Sequence, residues 1–272
     1  MLYFCCQMVY NSCDGGEMMK YNYHTHTYRC NHATGTEREY IEKAISVGIK
    51  KMGFSDHIPF IYPDGREDYY RVPKHQESEY INTVLDLKKE YEGKIKIYLG
   101  YEIEYYPKYF DEMVNSARAV GATYLILGQH FVGQGHFHWT AMPTDDEELL
   151  KEYADCVVAG INSGYITYVA HPDLFNFTGD DEVYEREMRK ICKAAKATNT
   201  PLEVNFLGIR DNRAYPREDF WRIAGEEGCS AVFGFDAHDV EGAGDITSLS
   251  RAKEIIKKYN IKYIDDPKLI TL

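Results

Sequence analysis

From about residue 20 onward, short runs of β-branched and aromatic residues alternate with longer stretches whose apolar positions recur every three or four residues. That alternation is the mark of parallel βα units. The predicted strands are residues 20–23, 50–54, 95–101, 123–127, 166–170, 201–204 and 230–235. Between them, residues 37–47 (Tyr40, Ile41, Ala44, Ile45), 77–91 (Tyr80, Ile81, Val84, Leu85), 145–162, 182–198 and 251–259 carry the spacing of core-facing helices. A length of 272 residues fits one α/β barrel or two smaller domains. Without internal repeat, low-complexity tract or Pro/Gly/Ser linker, a single domain over residues 20–272 is the simpler expectation. Residues 1–19 read as a leader or misassigned start, with Met18 or Met19 as the expected true beginning. They show no basic n-region and no small-residue cleavage site.

The residues just past each strand carry the chemistry. Six of the seven predicted strands lead to or end in a ligand-type residue: His24 and His26, Asp56 and His57, Glu102 and Glu104, His130, His171, and Asp236 with His238. Residues at i and i+2 of an extended chain point to one face, so His24 converges with His26 and Asp236 with His238. Neutral imidazoles and ionised carboxylates are the usual ligands of borderline divalent metals. In a closed parallel barrel the C-terminal strand ends share one rim, so residues from 24 to 238 can meet there. His75 fails this register and reads as a surface residue, while His136 and His138 stay ambiguous.

Composition narrows the function. Hydrophobic residues at 44% and charged residues at 27% are ordinary, but the net charge of −12 repels nucleic acid and anionic lipid. A phosphorylated substrate must then meet a locally positive site, which divalent cations would supply. No apolar run approaches the roughly 18 residues that span a bilayer. The seven cysteines are odd in number and irregularly spaced, which argues against a disulfide framework and for the cytoplasm. Among them only Cys30, two residues before His32, is a plausible ligand.

These residues closely resemble the PHP (polymerase and histidinol phosphatase) superfamily, in particular its stand-alone histidinol-phosphatase branch. The matching stretches are His24-Thr-His26 through His32-Ala-Thr-Gly-Thr36, Gly53-Phe-Ser-Asp-His57, Gly100-Tyr-Glu102-Ile-Glu104, Leu127-Gly-Gln-His130, Ala170-His171-Pro-Asp-Leu-Phe175, Leu202-Glu203-Val-Asn205 and Phe233-Gly-Phe-Asp236-Ala-His238-Asp239. The resemblance implies a distorted (β/α)7 TIM-like barrel holding two or three divalent ions, zinc, iron or manganese. By the family pattern His24, His26, Glu102 and Asp236 hold the first, and Glu102 bridges to a second completed by His130 and His171. His32, His57 and His238 hold the third. The implied activity is hydrolysis of L-histidinol phosphate or a similar small anionic phosphate ester. Clustered cations lower the pKa of a shared water until hydroxide exists near neutral pH. Glu102, Asp236 and His238 are the expected catalytic residues, with Asp236 a candidate proton donor to the leaving alkoxide.

For substrate binding, Arg210 matches the arginine that this branch places after its Glu-x-Asn strand, and Arg213 lies close enough to substitute for it. Gln129 stands where the branch usually has serine, and Asn176 where a basic residue is often found, so both fall where substrate is gripped. Asp56 or Glu104 would suit a substrate amine, though a carboxylate orienting a ligand histidine explains either equally well. The tyrosine-rich loop 58–75, with Asp64, Arg66 and Arg71, is placed to cover the site. Competing readings are a PHP-type phosphodiesterase or nuclease, an amidohydrolase acting on C–N bonds, and a regulatory metal-binding module. The amidohydrolase pattern would put a metal-bridging lysine near the fourth strand, which here ends in His130. Nothing in the sequence fixes the oligomeric state.

Overall fold

The computed structural model describes residues 19–133 and 138–272. Its first half runs β1 (Tyr21–Asn22), α1 (Glu37–Ser46), β2 (Lys51–Phe54), α2 (Glu77–Glu90), β3 (Lys96–Ile103), α3 (Phe110–Ala119) and β4 (Tyr124–Leu127). A hairpin of β5 (Phe131–Val132) and β6 (His138–Trp139) comes next, then α4 (Glu147–Asn162), β7 (Ile166–Val169), α5 (Asp181–Thr198) and β8 (Leu202–Asn205). The chain ends with α6 (Phe206–Arg210), α7 (Glu218–Glu226), β9 (Ser230–Gly234), α8 (Leu249–Lys258) and β10 (Lys262–Tyr263).

Local chemistry sets the helix starts. Thr36 and Glu39 form a reciprocal capping box on α1, and Asp146 and Asp180 accept hydrogen bonds from first-turn amides of α4 and α5. Along α5 the buried residues Val183, Tyr184, Met188, Ile191, Cys192 and Ala195 form one stripe that packs on the sheet and its neighbouring helices.

The main sheet has eight parallel strands in the order β1-β2-β3-β4-β7-β8-β9-β10. It closes at the C-terminal rim, where the chain leaving β1 meets the chain leaving β9. There the His26 amide donates to the Ala237 carbonyl at 3.0 Å, and Thr25 bridges Ala237 in parallel register. At the opposite end β10 pairs with the start of β9, and the tail after it returns to β1, where the Tyr23 hydroxyl donates to Asp266 at 2.8 Å. The result is the expected distorted (β/α)7 TIM-like barrel in a single domain, with a short eighth strand wedged beside the last of the seven. Alternation along β4 separates two cores: Leu125 and Leu127 face the helices, while Tyr124 and Ile126 join Tyr23, Tyr168 and Val232 in a plug below the rim.

Helices α3, α6 and α7, the hairpin and β10 go beyond the elements read from the sequence. Among the described residues no helix is long and apolar enough to cross a membrane. The expected leader falls outside the described residues except for its last residue, Met19, which is buried in the core.

Candidate metal centre

Period-two alternation turns Glu102 inward from β3 while Tyr101 and Ile103 pack outward. Gly128, just past β4, makes room for it, since a Cβ there would lie 1.9 Å from Glu102 Oε1. The carboxylate is only 1% exposed and stands at the centre of five imidazoles. Its Oε1 lies 3.0 Å from His171 Nε2, 3.5 Å from His130 Nε2 and 3.6 Å from His24 Nε2. Its Oε2 lies 3.2 Å from His57 Nδ1 and 3.4 Å from His26 Nε2. Neither oxygen has a hydrogen-bond donor in good geometry among the described residues.

Asp236 closes the ring from the end of β9. Its Oδ1 lies 3.4 Å from His24 Nε2, 3.3 Å from His26 Nε2 and 3.3 Å from His238 Nδ1. Its Oδ2 accepts a hydrogen bond from Asn205 at 3.1 Å. The ligand atoms of His32, His57 and His238 lie within 4.8 Å of one another, as do those of His24, His26 and Glu102. All nine residues expected as ligands therefore meet on one rim. Two of them hold left-handed backbone, His171 at φ 31° and Asp236 at φ 47°. Such conformations cost energy in non-glycine residues and persist where surrounding structure enforces them.

Outer hydrogen bonds aim these side chains. His24 Nδ1 donates to Glu203 at 2.8 Å, His130 Nδ1 to Glu104 at 3.3 Å and His32 Nδ1 to the Cys30 carbonyl at 2.7 Å. Each leaves Nε2 to face the centre, and His24 Nε2 and His26 Nε2 approach to 3.2 Å. Burial pulls the His24 imidazole down, but Glu203, Asp236 and Glu102 outweigh it and hold its pKa at about 10. Burial lowers His57 and His238 well below the usual histidine range, with neighbouring His26 adding to the effect. Burial raises the Glu102 carboxyl, yet His130, His24 and His57 outweigh it and leave it well below the ordinary range. Crowded imidazole nitrogens around a buried carboxylate that has no donor in good geometry among the described residues form a set that a divalent cation, displacing any ring protons, satisfies.

Other expected site residues fare differently. Arg210 lines the cavity above the histidines, but its terminal nitrogens donate to the Phe235 carbonyl at 2.6 Å and the Asp236 carbonyl at 2.8 Å. Arg213 also lines it, held by Asp211 and the Tyr215 hydroxyl. Gln129 is not a cavity residue. It is 1% exposed, and its amide is spent on the Tyr105 amide and the Phe131 carbonyl, both at 2.9 Å.

Asp56 is likewise withdrawn from any substrate. It accepts from the Thr27 amide and hydroxyl and the His57 amide, and lies 3.5 Å from His26 Nδ1. The orienting role weighed for it is the one the geometry supports. Glu104 also orients, held by buried Arg71 at 2.6 Å beneath the loop 58–75. That loop is pinned by Arg71 and puts Tyr69 and Tyr70 on the cavity wall, where Asn176 also stands. His75 is exposed, His138 is half-buried in β6, and His136 lies outside the described residues. Cys30 is buried, with its thiol within 4.8 Å of ligand atoms of His26 and His238.

Sequence reasoning assigned no role to Glu203, the most heavily used of the supporting groups. Fully buried, it takes His24 Nδ1, the His171 amide at 3.0 Å and Asn205 Nδ2 at 2.9 Å, and a Cβ on Gly234 would lie 1.7 Å from it. The signal was present, because Glu203 and Asn205 stand at i and i+2 of one strand and share its inward face.

A parallel α/β barrel with a histidine and carboxylate centre at its C-terminal rim defines a metallohydrolase-like class of protein. The chain belongs to the PHP domain family, whose model matches residues 22–206. Within the family it stands with the histidinol-phosphatase branch. It is 29% identical over 228 residues to a probable histidinol-phosphatase of Deinococcus radiodurans, covering 79% of this chain and 85% of that one. It is 26% identical over 265 residues to a histidinol-phosphatase of Bacillus subtilis, covering 84% and 96%. A histidinol phosphate phosphatase of Lactococcus lactis, solved with zinc, L-histidinol and phosphate, shares the fold at a TM-score of 0.70 and 20% identity, over 90% of this chain and 95% of that one.

Proposed function

We propose that this chain is a metal-dependent phosphomonoesterase that hydrolyses L-histidinol phosphate to L-histidinol and phosphate. The observation that carries the reading is the buried Glu102 carboxylate, presented to five imidazoles with no hydrogen-bond donor in good geometry among the described residues. Three sets would hold divalent ions, zinc, iron or manganese: His24, His26, Glu102 and Asp236; Glu102, His130 and His171; and His32, His57 and His238. When bound, such ions supply Lewis acidity toward phosphoryl oxygens and lower the pKa of water. The chain's own groups do the positioning. Asp236 acts as a ligand and not as the proton donor weighed for it, since one oxygen faces three imidazoles and the other takes Asn205. Glu203 keeps the His24 proton on Nδ1, so Glu203→Ala should lower kcat/KM and metal affinity roughly 10- to 100-fold. Kinetics with metal analysis check this, and wild-type values for both would remove Glu203 from the machinery.

Arg210 is engaged by two backbone carbonyls of the Asp236 loop, whereas Arg213 pairs chiefly with the exposed carboxylate of Asp211, which an arriving dianion can displace, so the phosphate is assigned to Arg213. Arg213→Ala is expected to raise KM about tenfold with kcat little changed. An unchanged KM in steady-state kinetics returns that role to Arg210. The net charge of −12 favours a small anion over nucleic acid, and the free thiols of Cys30, Cys156, Cys192 and Cys229 favour the cytoplasm, which cell fractionation checks. The test of the whole reading is phosphate release from histidinol phosphate, aryl phosphates and phosphodiesters. Monoester cleavage led by histidinol phosphate is expected, and diester cleavage without monoester cleavage overturns it.

A further inference from the structure

Among the described residues six large apolar side chains are exposed, and two of them, Tyr69 at 77% and Trp139 at 47%, stand on the wall of the same cavity. They end a run of rings that climbs from the histidines. Tyr70 meets His57 edge-on with centroids 5.3 Å apart, and Phe131 lies 5.0 Å from Tyr70. Phe131 is in turn the cross-strand partner of Trp139 in the β5–β6 hairpin. Side chains directly opposite in an antiparallel pair share a face, so the hairpin turns both toward the cavity. The opposite wall, built by the loops after β8 and β9, carries Arg210, Asp211, Arg213 and Asp239. The cavity, about 870 Å³, thus has a ligating floor, one charged wall and one wall of flat apolar faces. Exposed aromatic faces gathered at one concave place mark a binding surface.

We infer that the Tyr70–Phe131–Trp139 strip, with Tyr69 at its edge, is a leaving-group platform: it selects phosphomonoesters whose alcohol carries a flat ring, and it accepts rings larger than a five-membered one. The inference rests on the phosphatase reading and adds to it the side of the substrate that is not phosphate. Size tolerance comes from the outermost ring, since Trp139 lines the cavity and is half-exposed. A phenyl or indole ring stacks there while the phosphate stays on the histidine floor.

The experiment compares kcat/KM for propyl, phenylpropyl and indolylpropyl phosphate, which share one type of alkoxide leaving group and differ only in the ring. Both ring esters should exceed propyl phosphate roughly fivefold or more, the effect of one good aromatic contact. Trp139→Ala should reduce the phenylpropyl-to-propyl ratio about fivefold. Ile246→Ala, exposed but away from the cavity wall, should leave the ratio unchanged.

A second readout needs no turnover. The chain has two tryptophans and Trp221 is fully buried, so phenylpropanol, which has no phosphate to lose, should change Trp139 emission saturably in the native protein, and should not in Trp139→Phe. Equal kcat/KM for all three esters, a ratio untouched by Trp139→Ala, or no saturable emission change overturns the platform. Release from histidinol phosphate but from none of the three esters also overturns the platform, whereas release from none of the four sinks the phosphatase reading instead, and the emission titration then decides the platform alone.

Discussion

Glu102→Gln is expected to lower turnover by about a thousandfold or more, the several kcal/mol that metal-assisted charge stabilisation supplies. The change is nearly isosteric, so packing around β3 is retained and the effect is chemical. One oxygen becomes an NH2 donor, and the group loses its charge. Whichever end turns, the donor faces imidazole nitrogens: those of His24, His130 and His171 on one side, or His26 and His57 on the other. A hydrogen bond to one imidazole would then take the place of the cation ligand proposed to be shared, and no anion would join the two halves of the centre. Metal content, circular dichroism and kcat measured on the same preparation separate the outcomes. Loss of activity and of bound metal with an intact fold is the expected pattern, and wild-type rates would refute the bridging role.

The residues proposed as ligands were legible as one cluster because of strand geometry. His24 with His26 and Asp236 with His238 sit two apart at strand ends, and parallel topology puts all such ends on one rim. The same period explains the two misplaced substrate contacts. Gln129 and Asp56 each immediately precede a ligand histidine, and consecutive residues of an extended chain point to opposite faces, so both turn into the wall and bind backbone. Applied to residues 203 and 205, the rule finds the carboxylate beneath His24.

Helix α3 carries a legible stripe in Phe110, Met113, Val114 and Ala117, although no helix was expected there. By contrast β10 has two residues and no periodicity of its own. Its pairing with β9 comes from the return of the tail across the barrel floor, a tertiary effect. Arg210, expected at the substrate, does line the cavity wall. Its engagement by the carbonyls of Phe235 and Asp236 depends on the fold of a loop 25 residues further on, which no local pattern encodes.

Exhaustive chelation is expected to abolish phosphatase activity and lower the melting temperature, and the second effect comes from the burial of the centre. Glu102 and Asp236 are 1% and 3% exposed, and Glu102 has no donor while Asp236 Oδ1 has none in good geometry among the described residues. Stripped of countercharge, these carboxylates must borrow protons through the histidines or draw in water, and either loosens a rim on which β1 and β9 close the barrel. A ligand present at a hundred times its dissociation constant stabilises the native state by about 2.7 kcal/mol, which for a chain of this size is roughly 5–10 °C. Thermal melts and phosphate release before and after chelation, and again after zinc or manganese is restored, measure both effects. Activity that survives metal removal, with bound metal confirmed absent, would overturn the mechanism. An unchanged melting temperature with lost activity would show instead that the ligand rim is held by its outer hydrogen bonds, Glu203 to His24 foremost.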